Sequence, residues 1–209
     1  MKKTFNFNNC KIITIGDSIT KGFNGYEVLN NNYPKWLAYY LQTYVDNAGE
    51  NGATITGTRE IDMPQKIKNI KWNNYQLVIC FYGTNDYGHN KASIEDVSLT
   101  LANNINIIRQ ANPDLKIVGI LPTTRYDDYK NASDIFCKGG YTFNDLLDAL
   151  KLTYQVLNID VLDWRVWNPN LINNHNYQNK LNDCHLHPNG QTYQEIAINI
   201  ANYLRNTIK

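Results

Sequence analysis

Short apolar runs alternate with amphipathic stretches from one end of the chain to the other. Lys11 to Ile15 reads as a first strand. Tyr33 to Leu41 reads as a helix, with Pro34 in its first turn, where the missing N–H costs little. A short strand near Tyr44 to Asp46 precedes a glycine-bearing loop. Leu77 to Phe81 is almost continuously apolar, the pattern of a strand covered on both faces, so it belongs in the middle of a sheet. Ser93 stands three residues before Asp96 and opens a helical repeat through Val97, Leu101, Ile105 and Ile108, an acidic variant of the capping box. Lys116 to Leu121 is the next strand, and Thr142 with Asp145 repeats the capping spacing ahead of Leu146, Leu147, Leu150 and Leu152. Ile159 to Leu162 reads as a last strand and Thr192 to Ile208 as a closing amphipathic helix. Alternating strands and helices imply parallel pairing through right-handed crossovers, hence an α/β three-layer α/β/α sandwich with a central, mostly parallel sheet.

Length and charge narrow the class without deciding it. The 209 residues suit one domain, 1–209, and neither an internal repeat nor an interdomain linker stands out. Lys and Arg total 20 against 19 Asp and Glu, and no basic stripe forms a phosphate-backbone footprint, so nucleic acid is not an expected partner. The N-terminal segment starts with two lysines, but asparagines interrupt the place of a signal peptide's apolar region. No stretch approaches the roughly 18 apolar residues of a membrane span. Cysteines at positions 10, 80, 137 and 184 form no CxxC pair; unpaired thiols make a cytoplasmic location the expectation.

Polar residues collect after the strands. Gly16-Asp17-Ser18 follows the first, Asn47-Ala48-Gly49-Glu50-Asn51-Gly52 the second, and Gly83-Thr84-Asn85-Asp86 the third; Asp183-Cys184-His185-Leu186-His187-Pro188-Asn189 precedes the last helix. Open α/β sheets gather reacting groups at the carboxyl ends of their strands. Each block alone is an ordinary turn. A phosphate loop is excluded, because Lys21 precedes Gly22 and Phe23 follows it, the wrong order for that motif.

Taken in order, the four blocks resemble those of the SGNH hydrolases, also called the GDSL esterase-lipase family, over Ile12 to about Ile200. The resemblance implies a flavodoxin-like SGNH hydrolase fold and an esterase without cofactor or metal. It makes Ser18 the nucleophile and assigns the oxyanion hole to the Ser18 N–H, the Gly52 N–H and the Asn85 side-chain amide. Three neutral donors aimed at one point would each stabilise the developing charge by about 3 kcal/mol in a water-poor site. A side chain at position 52 would obstruct the acyl group, whereas Asp17 and Asp86 are expected to fix their loops.

The fourth block departs from the family pattern, which sets aspartate three residues before the catalytic histidine; here Cys184 stands three before His187, and Asp183 four before it. His185 is the alternative base, with Asn182 at the acid's usual position. Counting from His187 puts Tyr193, Ile196, Ala197 and Ile200 on the positions that the family's last helix buries, whereas counting from His185 would bury Gln191, Gln194 and Glu195. His187 oriented by Asp183 is therefore favoured, ahead of a Ser18–His187 dyad. Zinc on Cys184 and the imidazoles is disfavoured, because no second ligand group stands at a recognised spacing.

Loops after the fourth and fifth strands carry Arg125 to Tyr129 and then Trp164, Arg165 and Trp167, aromatics beside charges that could hold a sugar ring. Short acyl esters, such as O-acetyl groups on carbohydrate, are thus expected ahead of lysophospholipids or acyl thioesters. A catalytically silent carbohydrate-binding protein on the same scaffold is the rival. Oligomeric state is not legible.

Overall fold

The computed structural model describes residues 5–208. Five parallel strands form the central sheet: β1 (Lys11–Gly16), β2 (Tyr44–Gly49), β3 (Leu77–Phe81), β4 (Lys116–Ile120) and β5 (Asp160–Leu162), in the spatial order β2-β1-β3-β4-β5. Helices α1 (Tyr33–Leu41), α2 (Ile94–Ala111), α3 (Phe143–Val156) and α4 (Gly190–Thr207) cover it.

Strand alternation sorts the core into two halves. Ile13, Ile15, Val78 and Cys80 face α2 and α3, meeting Val97, Leu101, Ile105, Leu146 and Leu150. Ile12, Leu77, Ile79 and Phe81 face α1 and α4, meeting Leu37, Tyr193, Ile196 and Ile200. All five side chains of β3 are buried, as its unbroken apolar run requires for a central strand. The architecture is the expected three-layer α/β/α sandwich.

Both capping boxes form. Ser93 Oγ accepts from Asp96 N (3.1 Å) at the head of α2, and Thr142 Oγ1 accepts from Asp145 N (3.1 Å) at the head of α3. Element ends shift by a few residues. β2 runs three residues past Asp46, because register with β1 continues to Gly49 opposite Gly16. The closing helix starts at Gly190 rather than Thr192, because Asn189 caps it by accepting from Thr192 N (2.9 Å). Leu152 lies off the buried face of α3 and is exposed: two residues past Leu150 is just over half a turn round the helix.

Candidate active site

The first strand ends in a tight turn. A Cβ on Gly16 would collide with Thr20 Oγ1 and the Phe81 carbonyl oxygen, so only glycine lets the chain pass so close to β3. Asp17 then caps a one-turn helix, Ser18–Lys21, by accepting from Ile19 N (2.9 Å). Ser18 is thereby set at the first helical position, buried, with its Oγ 2.9 Å from His187 Nε2.

His187 Nδ1 lies 2.6 Å from Asp183 Oδ2. The other carboxylate oxygen, Oδ1, accepts from three successive backbone N–H groups, those of His185 (3.0 Å), Leu186 (2.9 Å) and His187 (3.0 Å). Burial pushes the Asp183 carboxyl up, but the bond from His187 and the three N–H groups outweigh it and hold the group well below the usual carboxylate range. An ionised carboxylate only accepts, so Nδ1 carries the proton and Nε2 is left to accept from the Ser18 hydroxyl. The edge of Phe23 rests against the imidazole at 5.0 Å between ring centroids. Cys184, at φ 54°, absorbs the extra residue between the acid and the histidine in a left-handed turn.

His185 points elsewhere. Its Nε2 lies 2.7 Å from Asp127 Oδ1, and Arg125 Nε sits 2.9 Å from both oxygens of that carboxylate. Burial raises Asp127, yet His185 and Arg125 more than offset this and hold it far below the usual range. Arg125 is itself buried and donates to Thr84 O (3.1 Å). Sequence reasoning missed this chain of charges, since His185 and Asp127 are 58 positions apart and no periodicity links them.

Gly52, Ser18 and Asn85 follow β2, β1 and β3, three adjacent strands. The backbone N–H groups of Ser18 and Gly52 have no hydrogen-bond partner among the described residues. Asn85 Nδ2 donates one hydrogen to Ala53 O (3.0 Å), tying the turn after β3 to the residue that follows Gly52. The buried Asp86 strengthens that tie, accepting from Ile55 N (2.8 Å), Thr56 N (3.0 Å) and Thr56 Oγ1 (2.8 Å). Gly52 adopts φ +74°, while a Cβ there would meet no atom within 4 Å. Backbone conformation, not crowding by protein, therefore requires glycine, and the space beside it is open. Burial pushes Asp17 up to about 7, against the Ile19 N–H and with help from the charge of Asp86.

Trp164, Arg165 and Trp167 do not form one group. Trp164 and Arg165 line a cavity beyond the ends of β4 and β5, whereas Trp167 packs edge-on against Tyr203 (5.3 Å) and lines a different hollow beside α4. Among the described residues no cluster of His, Cys, Asp or Glu could hold a metal ion, and no helix is long and apolar enough to cross a membrane.

The model of the GDSL-like lipase/acylhydrolase family matches residues 14–195. Among solved structures, a protein from Lactobacillus plantarum has a TM-score of 0.75 and 20% identity, covering 96% of this chain and 98% of its own. An inhibitor-bound aryl esterase of M. smegmatis is 15% identical, at TM-score 0.72, with 95% of this chain and 100% of its own covered. The acetyl xylan esterase AlAXEase is 20% identical, at TM-score 0.69, with coverage of 93% and 99%. No curated protein matches the chain.

Proposed function

The chain belongs to the GDSL-like lipase/acylhydrolase family, and from that membership and the geometry of Ser18 we propose that it is a serine esterase acting on short acyl esters, O-acetyl groups on carbohydrate among them. The observation that carries the reading is the unbroken line Ser18 Oγ, His187 Nε2, His187 Nδ1, Asp183 Oδ2, with separations of 2.9 Å and 2.6 Å on either side of the imidazole.

In this reading His187 takes the proton of the Ser18 hydroxyl as the oxygen attacks the ester carbonyl. Asp183 keeps the proton on Nδ1 and stabilises the imidazolium without being protonated. The free N–H groups of Ser18 and Gly52, with the second amide hydrogen of Asn85, take the oxyanion. His187 then gives its proton to the leaving alcohol, and water repeats the sequence on the acyl-enzyme. Every proton has a named donor and acceptor, so the reaction needs no cofactor.

The open space beside Gly52 suits a small acyl group, and the aryl and acetyl xylan esterases share the fold. The site test is turnover of p-nitrophenyl acetate with labelling by a fluorophosphonate probe. Ser18→Ala is expected to lose activity by on the order of 10³-fold or more and to lose the label. Unchanged turnover in Ser18→Ala would favour a silent binding protein instead. Rates across p-nitrophenyl esters of rising chain length, set beside a lysophospholipid and an acyl thioester, separate a short-chain esterase from its lipid and thioester relatives.

A further inference from the structure

The cavity lined by Trp164 and Arg165 has a volume of about 410 Å³ and is lined by residues that follow β4 and β5, at the same end of the parallel sheet as Ser18. At the usual strand spacing, β4 and β5 stand roughly 10 and 15 Å from β1 across the sheet. Asparagines supply much of the lining. Asn174 Oδ1 accepts from the Tyr126 hydroxyl (2.9 Å) and Asn131 Nδ2 (2.9 Å), which orients the amide and leaves its Nδ2 hydrogens without a partner. Asn168 Nδ2 donates to Asn199 Oδ1 (3.2 Å), which leaves Asn168 Oδ1 free to accept. Asn170, on the rim, is exposed. Two deeper lining residues, Thr123 at 1% and Trp164 at 5% exposure, each carry a buried polar atom with no hydrogen-bond partner among the described residues: the Thr123 hydroxyl and the Trp164 indole N–H.

The one arginine in the lining already faces two carboxylates, which disfavours an anion as the natural occupant. The Arg165 guanidinium is spent on Asp163, through Nε at 3.0 Å and Nη2 at 2.9 Å, and on Asp148 at 2.7 Å. An apolar occupant would leave the lining amides of Asn168 and Asn174 unsatisfied. Free donors and free acceptors side by side match hydroxyls, which do both. We propose that this cavity is a subsite for a neutral sugar residue, one that flanks the residue whose ester Ser18 cleaves. The proposal rests on the esterase reading for its role in catalysis, while binding itself can be measured without it.

The experiment has two arms. In the first, unesterified xylo-, cello- and manno-tetraose are titrated into ¹⁵N-labelled protein while the Trp164 indole and asparagine side-chain amide signals are followed by NMR. At least one sugar is expected to shift the Trp164 indole signal, and Asn170→Trp, which fills the mouth of the cavity, should remove the shift. No response to any of the sugars would overturn the proposal. In the second arm, Asn170→Trp should lower kcat/KM for an acetylated xylo-oligosaccharide about tenfold, through KM, and leave p-nitrophenyl acetate within about twofold. Asn168→Leu, branched alike but without the free oxygen or the bond to Asn199, should give the same split if Asn170→Trp misfolds. Equal losses on both substrates in Asn168→Leu would count against the subsite. If Ser18→Ala keeps full turnover, the esterase reading falls and the sugar titration still decides the cavity.

Discussion

At the scale of single residues, the work falls on Asp183 and on which histidine faces Ser18. Asp183 accepts four hydrogen bonds, three of them from the backbone of the loop that carries His187, so one carboxylate both shapes the turn and aligns the imidazole. Asp183→Asn keeps the shape, but an amide that uses its oxygen on the loop N–H groups turns its NH₂ toward Nδ1 and favours the wrong tautomer. Its kcat should fall on the order of 10²- to 10⁴-fold with KM little changed, as measured on p-nitrophenyl acetate. His187→Ala should abolish turnover. His185→Ala removes one partner of Asp127 and leaves Arg125 in place, so it should cost about tenfold or less; a larger loss there than in His187→Ala would reverse the roles given to the two imidazoles. The sequence singles out both histidines, and the pattern of the closing helix favours His187. The sequence also favours Asp183 as the orienter in spite of the four-residue offset; what it does not announce is how the turn takes up the extra residue, with Cys184 at φ 54°, a conformation β-branched residues resist.

At the scale of elements, the short helix Thr84–His89 fixes the geometry of the segment after β2. Asp86 accepts three bonds from Ile55 and Thr56, and Asn85 holds Ala53, so the segment after Gly52 hangs on the end of β3. Asp86→Ala would leave buried N–H groups unpaired at about 1–3 kcal/mol each. The expected result is a lower urea midpoint together with a fall in kcat, because the Gly52 N–H loses its fixed place. A stability loss with kcat intact would show that this tie does not position the Gly52 segment. The long elements were readable for simple reasons: α2 and α3 open with reciprocal caps, and β3 is apolar on both faces. The hairpin of Tyr126–Asp127 with Lys130–Asn131 was not, since strands of two residues have no period to detect. Leu152 misled because it is apolar, although its position two residues after Leu150 turns it to solvent.

At the scale of the whole molecule, the loops at the carboxyl end of the parallel sheet hold carboxylates in opposite environments, and stability should record both. Asp183 and Asp127 titrate well below the usual 3.8 in the fold, so their contribution is complete above that value and is lost as pH falls toward their folded pKa values. Asp17 runs the other way. Burial lifts it to about 7, so between 3.8 and 7 the unfolded chain is ionised at this position while the folded protein still holds the proton. Unfolding then releases a proton, and stability falls as pH rises through that window before levelling off. The two effects together set the stability maximum close to the usual carboxylate pKa. Urea midpoints measured from pH 4 to 8 test this directly. The wild-type midpoint should decline between about pH 5 and 7, the unit-by-unit scale being roughly 1.4 kcal/mol at most. Asp17→Asn keeps an oxygen to cap the Ser18 helix and cannot ionise, so its midpoint should decline less across the same range, what is left coming from Asp86, which burial also raises. A wild-type midpoint that rises from pH 5 to 7, or a decline undiminished in Asp17→Asn, would mean that the buried carboxyl beneath the serine does not govern the alkaline side of the stability curve.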